Sequence, residues 1–215
     1  MNKLLYITAN PREVDRSFGL QVGEHFLEAV AKENPDLQVE RVDVYEEHIP
    51  LIDADVLNGW DKLRAGEALN ETEAAAINRM NEVLEQFLSA DGYVFVTPMW
   101  NLSYPPMLKA YIDNIAIAGK TFRYTANGPE GLMSGKKVVH IQARGGIYSE
   151  GPAADFEFTD KYLRGIMAFI GITDYEHVYV EGIAAFPDKA QELVQGAKTR
   201  AAEVAAQFAK TPSRV

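Results

Sequence analysis

The stretch DGYVFVTPMWNLSYPPMLKAYID, residues 91–113, joins an apolar run to a polar turn and a pair of prolines. The unbroken apolar run at 92–97 predicts a strand that is covered on both faces, as in a parallel sheet. Pro105 and Pro106 predict the start of a helix, because the N–H groups of a first helical turn have no helical partner. The bulky Met99 and Trp100 and the polar Asn101 therefore lie where a buried strand ends.

Strands and helices alternate along the rest of the chain. Strands are predicted at 3–9, 37–45, 136–143 and 175–180, and helices at 17–33, 53–64, 72–89, 105–118, 158–170 and 187–210. Residues 119–135 are predicted to be a long loop. This alternation predicts an α/β fold in which a five-stranded parallel sheet has helices on both faces. We expect one domain over residues 1–210 and a disordered tail at 211–215.

Composition excludes several classes of function. The 215 residues are 47% hydrophobic and carry a formal net charge of −10, which argues against a basic nucleic-acid surface. The chain contains no cysteine, so thiolate nucleophiles and cysteine-ligated metal sites are excluded. The four histidines lie far apart and form no metal-binding motif, and we expect no metal. No signal peptide or membrane-length apolar run is present, so we expect a cytoplasmic protein.

Three loops follow strands that end at the same edge of the predicted sheet, where α/β proteins bind ligands. The first, 10–19, precedes a helix whose N-terminus favours a phosphate, and its Ser17 and Gly19 suit such a contact. The second, 98–102, offers large apolar side chains beside backbone amides. The third, 143–148, contains Gly145 and Gly146, which permit positive φ and close approach.

Each loop also has an ordinary structural interpretation. Ser17 caps a helix, Met99 and Trp100 pack beneath a neighbouring loop, and the Gly145–Gly146 pair forms a simple turn. The coincidence of the three loops favours a ligand with a phosphate, a flat ring and a polar ring edge. FMN has these three parts, and bound flavin would supply chemistry that the side chains lack.

The chain also resembles the FMN-dependent NADH-azoreductases, which act as NAD(P)H:quinone oxidoreductases. The motifs that carry the resemblance are PMWN at 98–101, AGKTFRYTANGPEGL at 118–132, ARGG at 143–146, FIGITD at 169–174 and EGIA at 181–184. The similarity covers residues 1–210. It implies a flavodoxin-like three-layer sandwich and a cytoplasmic homodimer with one FMN per subunit at the interface.

The resemblance also implies the residues of the site. Cofactor contacts are expected at Asn10, Ser17, Phe18, Gly19, Pro98, Met99, Trp100, Asn101, Leu102, Ala143, Arg144, Gly145 and Gly146, and substrate contacts at Tyr124 and Phe169. The chain has Trp100 where many members have tyrosine, and Ala143 and Gly19 where many have serine. These changes leave the backbone donors in place, so FMN binding is expected to persist.

The implied reaction is a ping-pong oxidoreduction with NADH or NADPH as electron donor. Flavin N5 carries the hydride, quinones or aromatic azo compounds are the acceptors, and no side chain is assigned a catalytic role. Two alternatives stay open: a monomeric FMN electron carrier, which is a flavodoxin proper, and a flavin-free regulatory or structural module. The sequence shows no signature that separates NADH from NADPH.

Overall fold

The computed structural model describes residues 1–210. Five parallel strands form the central sheet, and two further strands form a separate hairpin. In chain order the strands are β1 (Lys3–Thr8), β2 (Gln38–Asp43), β3 (Gly92–Pro98), β4 (Phe122–Thr125), β5 (Gly128–Gly131), β6 (Lys137–Ala143) and β7 (Asp174–Val180). The order in the sheet is β2-β1-β3-β6-β7, and every pairing within it is parallel. The prediction of a five-stranded parallel sheet is confirmed.

Six α-helices flank the sheet within residues 1–210. They are α1 (Phe18–Glu33), α2 (Ala54–Ala65), α3 (Glu71–Leu88), α4 (Pro106–Ile115), α5 (Asp160–Phe169) and α6 (Ala190–Lys210). Side chains of α1 and α6 pack on one face, where Tyr6 and Val94 point from the central strands. Side chains of α3, α4 and α5 pack on the other, against Ile7, Tyr93 and Phe95. Because successive strand residues point to opposite faces, the apolar central strands serve both cores.

The crossover between β2 and β3 is longer than a single helix because α2 packs on the outer side of α3. Asp53 caps α2 through the N–H of Val56, and Gly66 ends the helix with a φ of 73°. Asn70 and Glu73 form a capping box at the start of α3. These caps explain why the weak helical pattern at 53–64 still gives a helix.

The prediction that residues 119–135 form a loop without strands is wrong. This segment contains the antiparallel β4–β5 hairpin, which closes through Gly128 at a φ of 110°. Gly131 packs directly on Gly171 at the end of α5, and the Met133 N–H donates to the Ile170 carbonyl at 2.8 Å. This tertiary contact holds together a hairpin whose second strand, GPEG, has little intrinsic strand propensity.

Helix α4 ends at Ile115, three residues earlier than predicted. The Thr121 hydroxyl donates to the Ile115 carbonyl at 2.7 Å and accepts the Ile117 N–H at 3.0 Å. This side chain satisfies backbone groups that another turn of helix would have paired. The predicted disorder of residues 211–215 falls outside the described part of the chain. Among the helices of residues 1–210, none is both long and apolar enough to cross a membrane.

Candidate functional site

The three predicted loops meet at one edge of the sheet, which we call the rim: residues 10–19, 98–103 and 143–149. The Met99 N–H donates to the Ala143 carbonyl at 2.9 Å, which joins the second loop to the third. A methyl group added to Gly19 would lie 3.2 Å from the Ala143 side chain and 3.9 Å from the Thr97 carbonyl oxygen. Gly19 therefore lets the first turn of α1 approach the third loop and the end of β3.

In the first loop, the side chains of Asn10 and Ser17 are buried and bonded to each other. The Asn10 amide donates to Ser17 Oγ at 2.9 Å and accepts the Arg12 N–H at 3.2 Å. Ser17 Oγ also accepts the Leu20 N–H at 3.3 Å, so the capping interpretation of Ser17 is confirmed. The N–H groups of Phe18 and Gly19 have no acceptor within residues 1–210. Such a helix start is suited to an anion.

The second loop is a two-residue turn in the left-handed conformation. Trp100 and Ser103 exchange two backbone hydrogen bonds of 2.9 Å, and the φ angles of Asn101 and Leu102 between them are 50° and 64°. Asparagine adopts this region readily, whereas leucine is an uncommon occupant. The N–H groups of both turn residues find no acceptor in the described chain. The turn therefore presents two backbone donors at the end of β3.

The Trp100 side chain lies beside this turn and is partly exposed to solvent. Trp100 is 39% exposed, and its ring is 6.4 Å from that of Tyr45 at an angle of 56°. Met99 and Pro98 are half-buried. Packing against Tyr45 accounts for one side of the indole, but a substantial part of its surface stays available for a flat ligand.

The third loop uses its glycines differently from the prediction. Neither Gly145 nor Gly146 has a positive φ, so that part of the expectation is wrong. Instead, a methyl group on Gly146 would lie 3.1 Å from the Tyr148 ring. The two glycine carbonyls accept N–H groups of Ala184 and Gly182, whereas their own N–H groups have no acceptor among the described residues. Close packing, rather than an unusual backbone angle, favours glycine here.

The Arg144 side chain points away from the rim and is fully buried. Its Nε donates to Gln142 Oε1 at 2.7 Å, and its guanidinium lies 3.7 Å from the Tyr179 ring centre. Glu157 and Glu181 lie 3.4 and 3.5 Å from its two terminal nitrogens. Glu181 also accepts the Tyr148 N–H at 2.9 Å. The Arg144 N–H donates to the Val180 carbonyl at 2.8 Å, so only the Arg144 carbonyl is left to contact a ligand at the rim. The side chain supports the third loop from below.

A buried polar chain, which the sequence analysis did not identify, runs beneath the second and third loops. His140 lies 2.9 Å from Thr97 Oγ1 through Nε2 and 2.8 Å from Asp160 Oδ1 through Nδ1. The Tyr175 hydroxyl donates to the same carboxylate at 2.9 Å. Gln142 completes the chain by donating to Thr97 Oγ1 at 3.3 Å. The polar residues that interrupt these apolar strands were the feature of the sequence from which the network could have been predicted.

The network fixes the protonation of its members. Burial alone would raise the pKa of Asp160, but hydrogen bonds from His140 and Tyr175 hold that pKa well below its usual range. Burial lowers the pKa of His140. We therefore assign His140 as a neutral ring that donates from Nδ1 to Asp160 and accepts the Thr97 hydroxyl at Nε2. His140 is completely buried inside β6, which makes it a poor proton donor to a ligand at the rim.

Tyr124 and Phe169 lie together, but away from the three loops of the same chain. Both rings contact Phe122, at centroid distances of 5.5 and 4.6 Å. Tyr124 follows α4 and Phe169 ends α5, and both helices run from the rim towards the opposite edge of the sheet. Ten helical residues span about 15 Å. Within one chain, the two predicted substrate residues are thus separated from the predicted cofactor residues by the length of a helix.

The rim has the features that the parts of FMN require. Free N–H groups at the start of α1 suit a phosphate, the open face of Trp100 suits a flat ring, and the N–H groups of the other two loops suit polar ring atoms. Within residues 1–210 there is no cluster of three histidines or carboxylates that could hold a metal ion.

Comparisons with known proteins agree with this geometry. A family model described as flavodoxin-like fold matches residues 2–205. The FMN-dependent NADH:quinone oxidoreductase of Geobacillus kaustophilus is 54% identical over 211 residues, covering 97% of this chain and 100% of that protein. A Staphylococcus aureus protein of the same name is 51% identical, with 97% and 100% coverage.

Solved structures show the same similarity. An azoreductase from Bacillus anthracis has a TM-score of 0.91 and 42% identity, covering 97% of this chain and 100% of that one. An FMN-dependent NADH-azoreductase from the same species, in complex with FMN, has a TM-score of 0.93 and 38% identity, with 98% and 100% coverage. The chain therefore has the flavodoxin-like fold and belongs to the family of FMN-dependent NADH:quinone oxidoreductases and azoreductases.

Proposed function

We propose that this protein is an FMN-dependent oxidoreductase that uses NADH or NADPH to reduce quinones by two electrons and to cleave aromatic azo compounds to amines. The observation that carries the proposal is that three adjoining loops at one edge of the sheet each carry N–H groups with no acceptor within residues 1–210, next to the partly exposed Trp100. The relatives at 54% and 51% identity support it, because both are FMN-dependent NADH:quinone oxidoreductases.

Each loop has a distinct task in the proposed site. The N–H groups of Phe18 and Gly19 bind the phosphate, and Trp100 covers one face of the ring. The N–H groups of Asn101, Leu102, Gly145 and Gly146 donate to the polar edge of the ring, with Met99, Pro98 and the Ala143 and Arg144 backbone completing the wall. Bound FMN supplies hydride acceptance from the donor and two-electron transfer to the acceptor.

The protein contributes positioning and electrostatics rather than a side-chain acid or base. The N–H donors on two rigid turns stabilise negative charge at the ring edge without reorganising. His140 is sealed beneath the sheet edge, and its pKa is lowered by burial, so it takes no proton from a ligand at the rim. Stacking the acceptor on the ring provides the remaining rate enhancement through orientation.

We also propose a homodimer in which the β4–β5 hairpin of one copy covers the rim of the other. An open groove of about 490 Å³ lies between α2 and the hairpin, lined by Trp60, Leu63, Arg64, Ala116, Ile117, Ala118, Phe122 and Tyr124. Tyr124 is 75% exposed in the isolated chain. Because Tyr124 and Phe169 lie a helix length from the rim of their own chain, a second copy is needed to bring them to a cofactor site.

Oligomeric state tests the dimer. Gel filtration should give twice the 23.9 kDa of one chain, whereas an electron carrier should elute as a monomer. Leu63→Glu should shift the protein towards monomer. Leu57→Glu is a matched control, because Leu57 is also 51% exposed on α2 but does not line the groove. Equal behaviour of the two variants would argue against this interface.

The activity is tested by mixing the FMN-loaded protein with NADH in the absence of oxygen, and then adding benzoquinone. We expect the flavin absorbance to bleach with NADH and to return with benzoquinone. A flavin that NADH fails to bleach would overturn the proposal. A purified protein that takes up no FMN would instead support the flavin-free alternative. We place the reaction in the cytoplasm, where reduced nicotinamide nucleotides are available.

A further inference from the structure

Arg12 and Arg16 are distinguished from the other arginines by their lack of ion pairs. Of the nine arginines within residues 1–210, seven have a carboxylate within 4.0 Å: Arg41, Arg64, Arg79, Arg123, Arg144, Arg164 and Arg200. Arg12 and Arg16 have none in that part of the chain, although acidic residues outnumber basic ones by 31 to 21. Two unpaired cations on one short loop call for an explanation.

The two side chains border one cavity at the rim. Pro11, Arg12, Glu13 and Arg16 line a space of about 370 Å³, and both arginines are exposed to solvent. Glu13 contributes one opposing charge to its wall, and the carboxylate of Asp15 lies on the same loop. Neither carboxylate comes within 4.0 Å of either guanidinium in the described chain, so the arginines remain available to an incoming anion.

The backbone beneath the arginines is fixed. The Arg12 N–H donates to Asn10 Oδ1 at 3.2 Å, and the Arg16 N–H donates to the Glu13 carbonyl at 3.1 Å. Asn10 in turn is bonded to the buried Ser17. The loop thus holds the two cations beside the first turn of α1, on its solvent side. In the proposed site the cofactor phosphate binds the N–H groups of Phe18 and Gly19, so the arginines are left for another anion.

We propose that Arg12 and Arg16 form the binding site for the pyrophosphate of the nicotinamide dinucleotide donor. This inference rests on the proposed function. The donor carries two phosphate charges, whereas quinone acceptors are neutral, so a cationic site at the rim favours the donor over the quinone. Guanidinium groups bind phosphate oxygens in a bidentate manner, which gives both attraction and orientation. In a chain of net charge −10, a local positive site also offsets the repulsion that an anionic donor meets.

The test compares two double variants that each remove two positive charges. Arg12→Gln/Arg16→Gln changes the proposed site, and Lys32→Gln/Arg200→Gln changes exposed residues of α1 and α6 away from the rim. Two donors are used anaerobically: NADH, and 1-benzyl-1,4-dihydronicotinamide, which delivers the same hydride without phosphates. The dissociation constant of FMN is measured separately by flavin fluorescence.

We expect NADH to reduce the flavin of the Arg12→Gln/Arg16→Gln variant about tenfold more slowly than that of the wild type at low ionic strength. This rate should also depend less on salt concentration than the wild-type rate does. The variant's reduction by the phosphate-free donor and its FMN affinity should equal those of the control variant. A loss of FMN affinity with unchanged NADH kinetics would show that the arginines hold the cofactor phosphate, and it would overturn the inference. Equal rates of flavin reduction by NADH in the Arg12→Gln/Arg16→Gln variant and the control variant would overturn it too. If neither donor reduces the wild-type flavin, the proposed function itself fails.

Discussion

Replacing Gly131 with alanine should detach the β4–β5 hairpin from α5. An added methyl group would lie 2.2 Å from the Gly171 nitrogen and 2.4 Å from the Ile170 carbonyl carbon. Both are backbone atoms, and Gly171 already adopts a φ of 102°, so neither partner can rotate away. Overpacking a tight site commonly costs about 1–3 kcal/mol, and contact between two backbones places this one near about 3 kcal/mol.

Relief of the clash has a similar cost. If the hairpin moves outward, the 2.8 Å hydrogen bond from Met133 to Ile170 is lost, at about 1 kcal/mol. The Phe122 ring, now 4.6 Å from Phe169 and buried, loses its aromatic partner and becomes exposed, which costs about 2 kcal/mol more. Either route therefore predicts a free energy of unfolding about 3 kcal/mol lower than that of the wild type.

Urea unfolding of the apoprotein measures the change, and Gly165→Ala is the matched control. Gly165 lies inside α5 with no atom within 4 Å of an added methyl group, so alanine should stabilise the helix by about 1 kcal/mol. Because the proposed FMN contacts come from the rim of the same chain, whereas the hairpin covers the rim of the other copy in the proposed dimer, Gly131→Ala should retain FMN affinity while slowing reduction of the acceptor. A Gly131→Ala protein within about 0.5 kcal/mol of the wild type would refute the packing argument.

Four further outcomes are expected. Trp100→Tyr should retain FMN because backbone groups carry recognition, and an empty site in the visible spectrum would contradict this. Ser17→Ala should cost about 1 kcal/mol in urea unfolding through loss of the helix cap and weaken FMN binding in a fluorescence titration. Leu102→Gly should be tolerated at its φ of 64°, whereas Leu102→Val, β-branched in that region, should weaken FMN binding in the same titration. The lowered pKa of His140 keeps this side chain neutral in the folded protein, so the unfolded protein binds one more proton below about pH 6.5. The free energy of unfolding should therefore fall between pH 7.5 and pH 5. The lowered pKa of Asp160 adds a second loss of stability below about pH 4. Urea unfolding that is unchanged between pH 7.5 and pH 5 would contradict the assignment of His140.

The sheet and its helices could be predicted because their hydrophobic periodicities are long, and because Ser17, Asp53 and Asn70 supply side-chain caps for three of the helices. The hairpin could not, because its second strand contains two glycines and a proline and depends on a contact with Gly171 some forty residues later. The end of α4 was missed for a related reason. The helical pattern continues past Ile115, but a side chain at Thr121 takes over its terminal backbone groups.

The location of the site was predictable, but the direction of its side chains was not. Topology alone places the ends of β1, β3 and β6 at one edge, so the three loops were identified correctly as neighbours. Whether Arg144 points to the rim or into the protein depends on Glu157 and Glu181, which are distant in sequence. The separation of Tyr124 from the rim likewise depends on the direction of α4. The assignment of individual contacts to FMN stays a prediction.

The central position of β1 has a consequence for synthesis of the protein. One edge of β1 pairs with β2, which follows within 40 residues, but the other pairs with β3, where Leu4 is opposite Gly92. At ordinary translation rates the ribosome needs roughly five to twenty seconds to make the intervening chain. During that interval an almost wholly apolar strand has an unpaired edge, which can pair with other nascent chains. We therefore expect the first ninety residues to require chaperone protection until β3 emerges.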